Sequence, residues 1–474
     1  MTFALISLLL PLLTALVMLL TRSRSGWLLV LATGGSLIAG MLALMDVMAN
    51  GNQLLHLGGW PEPLAIRFHL MPVSAMLLTF TALIHLLVAF YAGRSQHSHT
   101  ARNDYWPLSA LLHASLGALW LSSDLFNWYV TLELLGLIAV ALVVLSGPKA
   151  YRPALNYLLL SLAGSLSYLL GVALLYGQYG LLDINLLSDA VSDNPTTRIA
   201  LVLMTIGLMV KGALWPLHLW LPHAHASAPT AVSALLSALV VKGPLFILWL
   251  LWTELAPETM QYPVGVVMAL AGVIALLAGG WASFRAPYIK AVVAYSTVAQ
   301  LGYALLALGL LMQWGDSDLS VALWLFVIAH ALAKVSMFLA AGEMQATLGS
   351  KRVTALRGAT ETLPVAMFAF AVAGGSLIGL PPSGGFTAKW LLLQPIFENP
   401  AFWPWAVGIF VGTLMSAAYV FRVVALAFER AEPTSEAFKP DRVAQWLALL
   451  PALLVWGMAL ISQSLIVWLT GVTT

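Results

Sequence analysis

Residues 322–342 read ALWLFVIAHALAKVSMFLAAG, and they decide how the rest of the chain is understood. The run is long enough to cross a bilayer, which takes about 20 apolar residues in a helix. Yet it carries His330 and Lys334, whose i,i+4 spacing puts them on one helix face. The same combination recurs at Lys211 in LVLMTIGLMVKGALW (201–215), at Lys242, at Lys389, and at Arg422 in SAAYVFRVVALAF (416–428). One acid, Glu133, is placed the same way in WYVTLELLGLIAVALVVL (128–145). A charge near the bilayer centre costs at least about 2.5–3.5 kcal/mol on insertion scales, so such residues face a protein interior or a water-filled path. A row of them points to a route for charge across a membrane.

Composition agrees. The chain has 474 residues, 61% hydrophobic and 8% charged, which marks a polytopic membrane protein. With a net charge of +2, the positions of the charges matter more than their sum. There is no Lys/Arg-rich run, so nucleic acid is not an expected partner. The absence of cysteine excludes disulfides and thiolate-held iron–sulfur clusters, and no cofactor site is recognisable. Any redox chemistry must then belong to partners. The first 24 residues lack a basic n-region, and Arg22 and Arg24 follow the apolar run. That pattern fits a first spanning helix better than a cleaved signal.

The hydropathy pattern predicts an all-α fold of about fourteen spans, near 3–20, 27–48, 71–92, 105–122, 125–146, 154–176, 199–215, 227–252, 262–283, 289–312, 319–341, 363–395, 403–427 and 443–469. The twelfth is too long for one straight helix and contains GLPPSGG (379–385), so it is expected to be broken. Charges test the count. Loops after odd-numbered spans carry fourteen Lys/Arg, including Arg22, Arg24, Arg94, Arg102, Lys149, Lys290, Lys351 and Lys439. Loops after even-numbered spans carry two, Arg67 and Arg198, together with acids such as Glu62, Asp183 and Asp193. The positive-inside rule then places odd loops in the cytoplasm and both termini outside.

Two spans join a helix breaker to a buried lysine. Lys211 precedes Pro216, and Lys389 follows Pro381 and Pro382. Broken helices in corresponding halves of a membrane protein point to a transport site. These two spans are five apart, so a five-helix unit repeated at that offset would be inverted in the membrane. Lysine suits proton transfer, because desolvation disfavours its charged form and a nearby carboxylate restores it. If Glu133 pairs with Lys211, movement of that acid would switch the lysine between holding and releasing a proton, with Lys242 as the next acceptor. The alternative is a static ion pair that fixes helix packing. His330, with Lys334 one turn away, is either a relay or a packing residue. Ser296, Thr297, Gln300, Tyr303 and Ser336 read as helix–helix hydrogen-bonding residues. His218, His223 and His225 in HLWLPHAHASAP (218–229) have no Cys or acid close by. They are expected in a cytoplasmic turn serving proton entry or surface buffering rather than metal. Arg422 lies near the end of its span and is expected to snorkel.

The block KGALWPLHLWLPHAHASAPTAVSALLSALVVKG (211–243) resembles the core signature of the antiporter-like proteins. These are the large proton-pumping subunits of respiratory complex I, their relatives in membrane-bound hydrogenases, and the large subunits of Mrp-type Na⁺/H⁺ antiporters. KAVVAYSTVAQLGY (290–303), AHALAKVSMFLAAGEM (329–344) and GLPPSGGFTAKW (379–390) resemble later family motifs in the right order. Length and the PTAVSALLSALVVKG wording resemble the D-type Mrp subunit and hydrogenase-type members. The resemblance implies fourteen helices: residues 1–104 as helices 1–3, 105–252 and 262–427 as two inverted five-helix repeats, and 443–474 as helix 14. It implies that Glu133 and Lys211 form a controlling pair, that Lys242 and His330 continue a central axis with Lys334 alongside, and that Lys389 stands at the terminal position. Many members have an acid where His223 stands here.

The expectation is an ion-translocating subunit of the bacterial or archaeal cytoplasmic (inner) membrane, working with other integral membrane subunits. It would move H⁺, with Na⁺ as an opposing ion in an Mrp-like assembly. The rival readings are a scaffold subunit whose polar axis is idle and an independent secondary carrier.

Overall fold

The computed structural model describes residues 1–23, 25–58, 65–94, 104–398, 402–430 and 440–470. Of the loop charges above, Arg24, Glu62, Arg102 and Lys439 lie outside the described residues, as does the tail 471–474 of the last predicted division.

In hydrocarbon every backbone N–H and C=O must be paired within the protein, which drives apolar runs into helices. The chain opens with α1 (Thr2–Thr21), α2 (Gly26–Asn50) and α3 (Pro72–Arg94). Next come α4 (Tyr105–Leu121), α5 (Leu125–Val144), α6 (Tyr151–Tyr179), the short α7 (Ile184–Ala190), α8 (Pro195–Lys211) and α9 (Leu221–Ser227). They are followed by α10 (Thr230–Leu255), α11 (Glu258–Arg285), α12 (Ile289–Trp314) and α13 (Ser317–Leu348). The chain closes with α14 (Pro364–Ile378), α15 (Gly384–Glu398), α16 (Trp403–Phe428) and α17 (Arg442–Leu469). Among the described residues, eleven helices are long and apolar enough to cross a membrane. The others are α4, with 17 residues, the short α7, and the members of two interrupted pairs, α8/α9 and α14/α15. Between α2 and α3, where the sequence suggested only a loop, β1 (Gln53–Leu57) pairs antiparallel with β2 (Ile66–Leu70). Arg67 of β2 grips Asp183, the N-cap of α7, with two hydrogen bonds of 2.8 and 2.5 Å.

Both interruptions fall at the predicted prolines, and the carbonyls they release find donors. After Lys211 the chain turns through Ala213, whose φ is +50°, and Trp215–Pro216 is cis. The Val210 carbonyl loses its i+4 partner; it accepts the Ala213 N–H at 3.2 Å and the Trp220 indole N–H at 2.8 Å. Trp220 in turn stacks on Tyr157, ring centroids 3.9 Å apart. The second break carries the cis Pro381–Pro382 bond and exposes the last carbonyls of α14, Leu377 and Ile378. A third irregularity was not foreseen. Residues Leu236–Val240 of α10 form a π-helical turn, and Leu251–Leu255 form another. A π-turn displaces one link of the i→i−4 ladder and leaves a carbonyl available.

Helices α10 and α13 are enclosed by the bundle, and α12 is nearly so, whereas α1, α16 and α17 keep most of their surface outward. Of the residues singled out above, Lys242 lies on α10 and His330 and Lys334 lie on α13. The contact of α11 with α12 depends on small residues, as tight helix pairs in membranes do. A Cβ added to Gly272 would lie 2.5 Å from the Gly302 carbonyl oxygen, and one added to Gly302 would lie 2.5 Å from that of Gly272. Gly265 and Gly309 face each other in the same way, at 2.7 and 2.5 Å. We expect Gly302→Val to force α11 and α12 apart and destabilise the chain by at least the about 1–3 kcal/mol typical of overpacking. A lowered melting temperature and faster proteolysis of the detergent-solubilised protein would register this; unchanged values would mean the helix pair tolerates the gap.

Candidate functional site

Lys211 is the last residue of α8, and its ammonium is buried. It donates to Glu133 Oε1 at 2.9 Å, to the Leu132 carbonyl at 3.2 Å and to Ser161 Oγ at 3.2 Å. The Ser165 hydroxyl donates to the same Glu133 oxygen. Ser161 and Ser165 stand one turn apart on α6, so one helix face serves both members of the ion pair. Gly136 makes room for them, since a Cβ there would lie 3.1 Å from Ser161 Oγ and 3.6 Å from Lys211 Nζ. The partnership expected from the family resemblance is therefore present in the geometry, with two serines the sequence reading did not mark. The two partners differ in depth: the Glu133 side chain is 19% exposed, against 4% for Lys211. It lies beside the exposed Val130, Leu134 and Leu137 at the rim of the bundle.

The second cluster lies within the three inner helices. Lys242, just after the first π-turn of α10, donates to the Ser237 carbonyl inside that turn and sits 2.8 Å from His330 Nδ1. The Ser237 hydroxyl meets Thr297 Oγ1 of α12 at 2.9 Å. Lys334 donates to Ser296 Oγ and, at 3.1 Å, to the Val293 carbonyl, so it faces α12 and joins the cluster. One turn further along α12, Gln300 donates to the Leu377 carbonyl at 3.3 Å, to Ser416 at 2.9 Å and to Tyr419 at 3.0 Å. Lys389 takes the other side of that carbonyl at 2.8 Å and the Ile378 carbonyl at 3.1 Å. Its ammonium lies 4.1 Å from the centre of the Tyr303 ring, a favourable cation–π placement. Helix α12 thus presents Ser296, Thr297, Gln300 and Tyr303 as a polar spine between Lys242/His330 and Lys389. Ser336 bonds instead to the Ala369 carbonyl at 3.3 Å and stitches α13 to α14. Lys211 and Lys242 share no hydrogen-bond partner among the described residues.

Several expectations are corrected. The three histidines do not occupy a surface turn: His225 is fully buried and stacks on Phe338, His218 is half-buried, and only His223 is exposed. The reason is that Leu221–Ser227 folds as α9 and packs into the bundle, carrying His225 inward. Among the described residues no group of three or more His, Asp or Glu side chains could hold a metal. Lys290, counted as a loop charge, is the second residue of α12, is buried, and donates to the Ala228 carbonyl at 3.0 Å. Glu133 is not the only acid inside a helix of the bundle. Glu343 of α13 is buried and accepts the Tyr91 hydroxyl at 2.6 Å. It falls two residues past the predicted span 319–341, where hydropathy does not mark a buried acid. His85 and His113 form a buried stack with centroids 4.6 Å apart, a pair invisible from sequence because it joins α3 to α4. Arg422 reaches the Phe284 and Ala286 carbonyls at the end of α11, away from the spine.

Comparison with known proteins is now informative. Residues 122–416 match the family model described as NADH:quinone oxidoreductase/Mrp antiporter, transmembrane. The chain belongs to that family. It is 33% identical over 407 residues to the NADH-quinone oxidoreductase N subunit of Desulforudis audaxviator, covering 84% of this chain and 80% of the relative. It is 28% identical to the D-type Na⁺/H⁺ antiporter protein of Alkalihalophilus pseudofirmus, covering 82% and 79%. Its fold superposes on a chain of the Mrp complex from Dietzia sp. DQ12-45-1b with a TM-score of 0.89, covering 99% of this chain and 96% of that one at 23% identity. The molecule is therefore an antiporter-like, multi-pass membrane protein of the Mrp and complex I type. The matched region runs from the start of α5 into α16 and contains every residue of the two clusters except Tyr419, which lies just beyond its end.

The Glu133–Lys211 pair yields a stability prediction. Removing one member of a buried pair usually costs about 3–5 kcal/mol, and the partial exposure of Glu133 reduces that figure. Glu133→Gln is expected to lower the melting temperature of the solubilised protein. Adding Lys211→Met, which removes the stranded ammonium, is expected to recover part of the loss. A double variant as unstable as the sum of the singles would show that the two side chains are not energetically coupled.

Proposed function

We propose that this chain moves protons through the membrane along Lys211, Lys242, His330, Lys334 and Lys389, under control of the Glu133–Lys211 pair. The observation that carries the reading is the direct contact of Lys242 with His330 inside the enclosed helices, continued toward Lys389 by the hydroxyls and amide of α12. Each group can hold or release a proton, and the hydroxyls between them can orient transfer. Withdrawing Glu133 removes the charge that favours the Lys211 ammonium, so its proton passes toward Lys242. The rim position of Glu133 supports coupling to a neighbouring membrane protein of the assembly, which would cover that carboxylate and bias its distance from Lys211.

In this reading the chain works inside a multisubunit assembly of the bacterial or archaeal cytoplasmic membrane, with both termini outside. Residues 105–252 and 262–427 act as two inverted five-helix units, flanked by 1–104 and 443–474. In an Mrp-like assembly the opposing flux is Na⁺; in a complex I-like assembly the driving energy comes from redox partners.

Vesicles containing the whole native assembly test the reading, with ΔpH and Δψ followed at matched assembly levels. Lys211→Ala and Lys389→Ala are each expected to reduce proton movement to background while leaving subunit composition intact. Wild-type rates in both variants would overturn the proposal and favour a scaffold role for this chain.

A further inference from the structure

A cavity of about 420 Å³ opens at the end of the bundle that carries most of the Lys and Arg residues, apart from the Lys211–Lys389 row. It is walled by the turn after α5, the α9–α10 corner, the start of α12 and the segment after α13. Three lysines line it: Lys149, Lys290 and Lys351. Hydroxyls of Ser227, Thr230 and Ser350 line it as well, and none of the described residues around it is acidic. We propose that this cavity is a binding site for a phosphate-class anion.

The lysines are held together by the fold. Lys290 is 6% exposed, anchored by its bond to the Ala228 carbonyl. The backbone N–H of its neighbour Ile289 donates to the Lys351 carbonyl at 2.9 Å, and Tyr288 bridges to Arg352. Lys290 and Lys351 therefore reach the same cavity from directly joined backbone segments. Ammonium groups confined together repel one another, and one bound polyanion converts that repulsion into attraction. Ammonium and hydroxyl donors are what a phosphate's oxygens take. Thr230, which also lines the cavity, is the first residue of α10, and the N-terminus of that long helix adds a favourable field for negative charge. A cation would meet three ammonium groups and no carboxylate. The phosphate oxygens can come from free inorganic phosphate or from the headgroup of an anionic phospholipid.

The test uses the native assembly, purified in detergent and phosphate-free buffer. Inorganic phosphate is titrated by calorimetry at constant ionic strength, and tightly held phospholipid is quantified by mass spectrometry after delipidation. Lys149→Ala/Lys351→Ala changes two side chains outside the core; Lys290→Met removes the buried ammonium. Saturable phosphate binding, weakened about tenfold or more in either variant, is the result expected for the free anion. Retention of a stoichiometric anionic phospholipid by the wild type, lost in either variant, is the result expected for a headgroup. Neither binding nor retention by the wild type, or equal values in wild type and both variants, would overturn the proposal.

Discussion

A lysine buried in a membrane-spanning bundle needs oxygen atoms, and in a regular helix each carbonyl already holds one backbone N–H. The geometry around Lys242 and Lys389 shows how the chain meets this constraint. Lys242 takes the Ser237 carbonyl inside a π-turn, and Lys389 takes Leu377 and Ile378 at the end of a broken helix. In both cases the ammonium sits where the backbone ladder is locally undone. The irregularities and the charges therefore explain each other: the break would leave carbonyls unsatisfied in a dry interior, and the lysine would be stranded without them. At the other break the Val210 carbonyl takes the Ala213 N–H and Trp220 rather than a lysine, and Lys211 bonds Glu133.

This arrangement assigns different duties to neighbouring helices. The inner helices α10, α12 and α13 hold Lys242, His330 and Lys334 away from lipid, and α12 supplies hydroxyls at 296 and 297 and an amide N–H at 300 without interrupting its own ladder. Most of what it lends is hydroxyl or amide, and the one backbone group, the Val293 carbonyl, takes Lys334 without a break in the helix. The glycine contacts between α11 and α12 press that spine against its outer neighbour, so its polar face stays turned toward α13 and α14.

Much of this was legible in the chain. Apolar runs of spanning length, prolines beside lysines and the sorting of loop charges pointed to the all-helical fold and both breaks, because those features follow from solvation and backbone covalency alone. The residue types of the site were visible for the same reason. What stayed hidden lies at boundaries or between helices. Lys290 and Glu343 fall within a turn or two of predicted span ends, where hydropathy cannot separate a surface charge from a buried one. His225 was placed at the surface because nothing in HLWLPHAHASAP announces that α9 folds back into the bundle. The π-turn at Leu236–Val240 has no proline or glycine to mark it. The Glu133–Lys211 pairing rested on resemblance, since no spacing rule connects residues on different helices.

The two clusters differ in a way that bears on coupling. Lys242, His330, Lys334 and Lys389 are enclosed and linked to one spine, whereas Glu133 stands at the rim and its pair with the buried Lys211 shares no partner with them among the described residues. In the proposed route, continuous bonding throughout would carry charge whether or not energy was supplied. One link that closes only in a second conformation prevents that leak, and its equilibrium can be biased only by something that contacts the two states differently. Glu133 is the ionisable member of the row most open to contact from outside the bundle. Its ammonium partner is the last residue of α8, at a helix end where a small change in backbone angles redirects the side chain. In the proposed route the gap between Lys211 and Lys242 is thus the place where a neighbouring protein of the assembly would gain control over the row, while the buried spine beyond it stays fixed.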